Sequence, residues 1–216
     1  MSIRSWIRTR VPGSDAVYEE ARLKWLARST PAKVKSTLAS AAPIRLDLGG
    51  GNWRRAGWLT LDIDTGSDLF WDLRRGIPFP DDSVDVVYSS HFLEHLSYQD
   101  GQAVLGETLR VLKPGGLVSV CVPDARMYID AYLGNTQLDP SREFWEPAFV
   151  SSEGIDLLNY VAYMADEHKC MFDQQGLIDR LARAGFLNAR ARSFDPELDL
   201  EDRAFESIYA EAWKAG

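Results

Sequence analysis

Apolar residues in this chain gather into short unbroken runs, with longer stretches of helical period between them. The runs are Ile44–Leu48, Trp58–Ile63, Leu69–Trp71, Val84–Ser89 and Leu117–Val122. Strands apolar at consecutive positions are buried on both faces, so these five predict a parallel sheet with helices on either side. "FLNARARSF" and "ESIYAEAW" read as two final strands. The result is an α/β fold with a Rossmann-like, mostly parallel sheet of seven strands. "SYQDGQAVLGETLRVL" is the crossover helix before the fifth strand, with Ser97 as its cap and Val104, Leu105, Thr108, Leu109 and Leu112 facing inward. "DARMYIDAYL" is a further helix, and "DQQGLIDRLARAG" another, capped by Asp173 and stopped by Gly185. "KPGG" at 113–116 reads as a tight turn.

Two helices precede the sheet. Ser14 can cap the first, with Val17, Tyr18, Ala21 and Trp25 on its apolar side. The second has Thr30 as cap, Pro31 in its first turn, and Val34, Leu38 and Ala41 on one face. Residues 1–42 are therefore expected to form an N-terminal helical cap, and 43–216 one domain. Within it, residues from 134 to about 170 have mixed periodicity and many aromatics. A stretch that long without clean elements is expected to be a lid or acceptor-binding insertion.

The chain has 216 residues and a formal charge of −8, which disfavours a non-specific grip on nucleic acid. Its two cysteines, Cys121 and Cys170, form no Cys-x-x-Cys pair, which argues for a reducing compartment and against structural zinc. No apolar run approaches the roughly 20 residues of a membrane span. The N-terminus lacks the apolar core of a secretory signal, so a cytoplasmic location without membrane contact is expected.

Ligands of an open parallel sheet sit beyond the carboxyl ends of its strands. Asp47, Gly49, Gly50, Gly51 and Asn52 lie there after strand one, and Asp62 and Asp64 after strand two. Asp72 follows strand three, Ser89, Ser90 and His91 follow strand four, and Pro123 and Asp124 follow strand five. Glycines let a ligand approach the backbone, and a carboxylate ending strand two can accept from both ribose hydroxyls. Only nine residues, Gly49 to Gly57, separate the first two strands, whereas a crossover helix needs about 10–12. The position of a third fingerprint glycine is Arg54. Without that glycine and a helix N-terminus, a pyrophosphate has no seat, which disfavours a nicotinamide dinucleotide. The pattern fits a nucleoside-like cofactor without phosphates.

"LDLGGG", "GWLTLDID", "WDLRRGIPFPDDSVDVVYSSHFLEHL", "LRVLKPGGLVSVCVPD" and "HKCMFDQQGLIDRLARAGF", in that order, resemble the class I S-adenosylmethionine-dependent methyltransferases. The likeness is to a compact group with a shortened first connection, often found in glycan and polysaccharide pathways. It covers residues 44–133 well and 168–187 in part. The resemblance implies S-adenosylmethionine as cofactor. Asp47, Gly49 and Gly51 would line its amino-acid part, and Asp62, or else Asp64, would hold the ribose. Asp72 and Leu73 would meet the adenine, and Ser89, Ser90 and His91 would lie beside the sulfonium. With the first helix missing, the N-terminal helices are expected to cover that side. Asp62 could instead cap a loop, and Asp72 could start the turn before "RRG". Glu94 and His95 in "FLEHL" are read as bracing the turn after strand four.

An alcohol acceptor benefits from a base, and the only histidines are His91, His95 and His168. His168 is the leading candidate and His91 the next, with Asp166 and Glu167 placed to orient His168. Alternatively Asp124, Asp166, Glu167 and His168 could bind Mg²⁺, since oxygen-rich sites suit it. No Asn-Pro-Pro-Tyr-type motif follows strand four, which disfavours amine acceptors on nucleobases or glutamine. Phe144, Trp145, Phe149, Tyr160 and Tyr163 stand beside Asp139, Arg142, Glu143 and Glu146. Aromatic faces among polar groups suit a sugar or oligosaccharide, or else form lid core. The expected activity is O-methylation of such an acceptor. A different small-molecule acceptor, or a non-catalytic cofactor-binding partner subunit, are the alternatives.

Overall fold

A computed structural model describes residues 14–134, 154–164 and 166–216, with side chains from Glu20 onward. Two helices, α1 (Ser14–Ala27) and α2 (Thr30–Leu38), precede strands β1 (Arg45–Leu48), β2 (Leu59–Asp62) and β3 (Leu69–Phe70). Strand β4 (Val84–Ser90), helix α3 (Tyr98–Val111) and strand β5 (Leu112–Pro123) follow. Helices α4 (Ala125–Gly134), α5 (Ile155–Tyr163) and α6 (Gln174–Arg183) lead to β6 (Leu187–Ala191) and β7 (Ser207–Trp213). The seven strands form one sheet in the order β3-β2-β1-β4-β5-β7-β6. Strands β1 to β5 are mutually parallel, and β7 runs antiparallel between β5 and β6.

The expected strands are present because their side chains fill the space between the sheet and its helices. Leu46, Leu48, Leu61, Val84, Val87 and Val120 are buried. Each such aliphatic contributes about 1.5–3 kcal/mol by leaving water. Helix α3 starts at Ser97, whose hydroxyl accepts from Asp100 N at 3.1 Å, and Val104, Leu105 and Thr108 face inward. Asp173 caps α6 by accepting from Gly176 N at 2.7 Å. No helix runs between β1 and β2, as the nine-residue connection requires. The chain moves outward from β1 through β2 to β3, then returns to β4 on the other side of β1. That reversal opens a crevice between the carboxyl ends of β1 and β4.

Expectations for the 113–116 turn and for the N-terminal helices are corrected. Lys113–Gly116 is not a tight turn ahead of the fifth strand but a bulge within β5, since Val84 pairs with Leu112 and Val86 with Leu117. Asp85, opposite the bulge, anchors it by accepting from Lys113 Nζ and from Ile44 N, both at 2.8 Å. The N-terminal helices dock on the edge strand β3, with Val34 buried in the main core. Thr30 Oγ1 donates to the Phe70 carbonyl at 2.8 Å and Lys33 Nζ to that of Asp68 at 2.6 Å, covering the open edge. Thr30 therefore serves the sheet and does not cap α2, which Ser29 precedes without a side-chain cap. The expected inner face of α1 is exposed at Ala21 and at Trp25, which stacks under the Arg28 guanidinium at 3.8 Å. Val17 and Tyr18 lie outside the described side chains.

Candidate functional site

The loop after β1 is shaped by two glycines in left-handed backbone, Gly49 (φ +74°) and Gly51 (φ +55°). A Cβ on Gly49 would stand 2.3 Å from the Phe92 ring, so no side chain fits there. A Cβ on Gly51 would meet nothing within 4 Å, so that side of the loop is open. Asp62, at the end of β2, ties this loop to its own. Its two carboxylate oxygens accept from Gly51 N and Asp64 N, both at 2.9 Å. Each oxygen keeps a second lone pair, and the half-buried carboxylate lines an open cleft of about 680 Å³. Gly49, Asp72, Leu73, Phe92 and His95 line the same cleft.

Asp72 starts a turn and also lines the cleft. Its carboxylate accepts from Arg74 N and Nε and pairs with Arg74 Nη2 at 2.9 Å, starting the short turn Leu73–Arg75. Burial alone would raise its pKa, but the Arg74 hydrogen bonds and charge hold it below the usual carboxylate range. On the far side of the glycine loop lies a second cavity of about 300 Å³, lined by Asp47, Gly50, Gly51, Asp64, Ser90 and Arg203 among others. Asp47 is 4% exposed, and burial pushes its pKa up to about 7 against the pull of Arg55 and Arg203. Ser90 joins Asp47 there, whereas Ser89 does not. Successive strand residues point to opposite faces, and Ser89 is buried away from both cavities with its hydroxyl unpartnered.

A third, smaller cavity of about 110 Å³ adjoins the open cleft. His91, Glu94, His95 and Glu167 line it together with His168, Tyr128, Tyr160, Arg203 and Glu206. All three histidines of the chain therefore meet at one place, and His91 and His95 belong to both spaces. His91 sits in left-handed backbone (φ +49°), and its Nε2 lies 2.8 Å from Ser207 Oγ. His168 Nδ1 lies 2.8 Å from the Val161 carbonyl. Its ring meets that of His95 edge-on at 5.0 Å. Burial lowers the pKa of all three, most strongly for His91, whose protonation Arg203 also opposes. Glu94 is 2% exposed, neither carboxylate oxygen has a hydrogen-bond partner, and burial pushes its pKa up to about 8. Glu206, also raised by burial, accepts from Tyr128 Oη at 2.5 Å.

This cavity changes the sequence-based assignments. Glu94 does brace the turn after β4, but through its carbonyl, which accepts from Lys169 N at 2.7 Å. The side chains of Glu94 and His95 instead face the cavity. Asp166 and Glu167 do not orient His168, whose ring is held by α5. Asp124, Asp166, Glu167 and His168 do not assemble as a metal site. Asp124 accepts from Arg126 N at 3.0 Å in the first turn of α4, and Asp166 opens onto the cleft. Among the described residues, the one converging set of acid and histidine groups is Glu94, His95 and His168. Of the expected lid aromatics, Tyr160 is buried against Tyr128 at 5.8 Å and Tyr163 is exposed. Phe144, Trp145, Phe149, Asp139, Arg142, Glu143 and Glu146 lie outside the described residues. No helix among the described residues is long and apolar enough to cross a membrane.

The model of a family described as "Methyltransferase domain" matches residues 71–120. A probable S-adenosylmethionine-dependent methyltransferase of Mycolicibacterium smegmatis is 31% identical over 118 residues, or 53% of this chain. The match spans 43% of that relative's length. Among solved structures, a Thermotoga maritima S-adenosylmethionine-dependent methyltransferase, a possible histamine N-methyltransferase, superposes with a TM-score of 0.50 at 15% identity. It covers 94% of this chain and 98% of that one. Haemonchus contortus phosphoethanolamine N-methyltransferase 2, solved with S-adenosylmethionine, gives 0.51 at 12% identity over 100% of this chain and 60% of that one. Strand order, the loop after β1 and these likenesses converge: the chain carries the class I S-adenosylmethionine-dependent methyltransferase fold.

Proposed function

We propose that this chain is an S-adenosylmethionine-dependent methyltransferase that methylates a hydroxyl of a sugar or oligosaccharide. The observation that carries this reading is that His91 and His95 line both the open cleft and the histidine cavity. A cofactor in the cleft would then have its reacting end next to a pocket of proton acceptors. The cleft and the cavity beyond the glycine loop, which share Gly49, together fit such a cofactor. Asp62 has free lone pairs for two ribose hydroxyls, and Gly51 leaves its side of the loop bare. Asp47 sits under Gly50, where an amino-acid ammonium would be paired. Leu73 and Asp72, which line the cleft, would meet the adenine, while Asp64 lines the cavity on the other side of the loop. When bound, the cofactor supplies a methyl carbon on a sulfonium, which leaves as a neutral thioether while the new carbon–oxygen bond forms.

The chain's own contribution is to orient the acceptor, exclude water and take its proton. Orientation and exclusion of water can supply roughly 7–11 kcal/mol. His168 donates through Nδ1 to Val161, so its Nε2 lone pair is available to the acceptor proton, with His91 the second candidate. A non-catalytic cofactor-binding subunit has no use for a buried, unpartnered carboxylate among three histidines. Calorimetry with S-adenosylhomocysteine and with NAD, followed by a methyl-transfer assay over panels of hydroxylated and amine acceptors, tests the reading. Binding of the former only, and product on a sugar hydroxyl, is expected. Preference for NAD, or transfer to amines alone, would overturn it.

A further inference from the structure

The hydrogen bonds around the histidine cavity fix which ring nitrogen of each histidine carries the proton. A carbonyl oxygen only accepts, so His168 Nδ1, at 2.8 Å from the Val161 carbonyl, must be the donor. His95 Nδ1, at 3.3 Å from the Glu167 carbonyl, is a donor for the same reason. Ser207 Oγ already donates to the Arg203 carbonyl at 2.7 Å, so it accepts from His91 Nε2. In a neutral ring the other nitrogen is then a bare lone pair. These lone pairs turn inward. His95 Nε2 and His91 Nδ1 each lie 3.9 Å from Glu94 Oε1. The ligand atoms of Glu94, His95 and His168 all lie within 4.8 Å of one another. Acceptors thus face acceptors around a carboxylate that has no donor of its own. Such an arrangement is repulsive unless a proton on Glu94 or a cation sits between its members.

We propose that Glu94, His95 and His168 bind a divalent transition-metal cation, with open coordination positions toward the cavity. Imidazoles that ligate metals characteristically give their second ring N–H to a backbone carbonyl, which aims the lone pair; Val161 and Glu167 supply those carbonyls here. Two imidazoles and one carboxylate suit Zn²⁺, Mn²⁺ or Fe²⁺ over Mg²⁺, which takes oxygen ligands. A tetrahedral ion about 2.0–2.2 Å from each ligand needs ligand atoms about 3.4 Å apart, so the observed separations close by an ångström or so on binding. Arg203 lines the same cavity, and its charge favours the ionised forms of both Glu94 and Glu206. The three ligands leave His91 to face the ion's open side. An acceptor hydroxyl would fill an open position, and with His168 committed to the ion, His91 Nδ1 would take over from it as the group that receives the proton. That last role rests on the methyl-transfer reading; binding of the ion does not.

The test uses the full chain, freed of any purification tag and stripped with a chelator. Titration calorimetry with Zn²⁺, Mn²⁺ and Mg²⁺ is the measurement, with absorption of the Co²⁺-loaded protein as a second readout. One equivalent of Zn²⁺ or Mn²⁺ is expected to bind in the micromolar range or tighter, with Mg²⁺ silent. Glu94→Gln, which keeps the side-chain shape, is expected to weaken binding at least about 100-fold while S-adenosylhomocysteine still binds. Asp62→Ala should do the reverse, so failure of the metal site and failure of the cofactor reading are told apart. Should Glu94→Gln fold poorly, His95→Gln and His168→Gln serve in its place. Absence of Zn²⁺ and Mn²⁺ binding, equal binding in the variants, or selectivity for Mg²⁺ would each overturn the proposal. In those cases a protonated Glu94 shared with the imidazoles accounts for the cluster.

Discussion

Asp47 makes cofactor affinity depend on pH. It is buried beneath the glycine loop, and a Cβ on Gly50 would stand 2.9 Å from its Cγ. Its pKa of about 7 against the ordinary value of 3.8 means the folded protein holds this proton where the unfolded chain has lost it. The sign follows from that difference. Stability is highest at low pH and falls as pH rises from about 4 to about 7, by up to about 4 kcal/mol for a three-unit shift. An ammonium placed beside the carboxylate would pair only with its ionised form. The ionised fraction rises from about 0.03 at pH 5.5 to about 0.76 at pH 7.5, so affinity for S-adenosylhomocysteine should rise about 25-fold across that window. Calorimetry in buffers of differing ionisation enthalpy should show close to one proton released per molecule bound at the acid end. Asp47→Asn should bind more weakly at pH 7.5 with a flat profile. A wild-type affinity that does not change with pH, or an Asn variant that keeps the slope, would refute the pairing.

Asp62→Ala should weaken S-adenosylhomocysteine by roughly 2–3 kcal/mol, since two ribose hydroxyls lose a charged partner; unchanged affinity would remove Asp62 from the ribose contact. Because Asp62 also holds Gly51 N and Asp64 N, Asp62→Asn should recover part of the melting temperature lost in the Ala variant. Gly49→Ala combines a left-handed backbone with a clash on Phe92 and should cost about 2–4 kcal/mol in denaturant unfolding. The double variant with Phe92→Ala should relieve the clash but not the backbone strain, and a cycle showing no coupling would contradict the geometry. His168→Ala should slow methyl transfer roughly 10²–10⁴-fold with cofactor affinity nearly intact; full activity would remove His168 from the reaction.

Periodicity revealed what burial on two faces imposes, and little of what tertiary contact alone decides. The strands announced themselves because a parallel strand between helix layers must be apolar at consecutive positions, and a residue count was enough to remove the first crossover helix. The outward face of α1 was misassigned because Trp25 satisfies a helical stripe whether it meets the sheet or the Arg28 guanidinium. Ser89 could have been separated from Ser90 by the strand's period of two, since Ser90 shares its face with Tyr88, the register partner of Asp47. Glu94 carried a weaker signal: an acid and a histidine among Leu93 and Leu96, in a turn too short for them to escape inward burial. Nothing local ties that turn to His168, about seventy positions on. The two are joined because Lys169 N and Cys170 N bond to the Glu94 carbonyl, laying the segment after α5 against the turn after β4. A backbone pairing of this kind leaves no pattern in side-chain type. The surviving trace is compositional, for a chain with three histidines has spent all of them on one cavity.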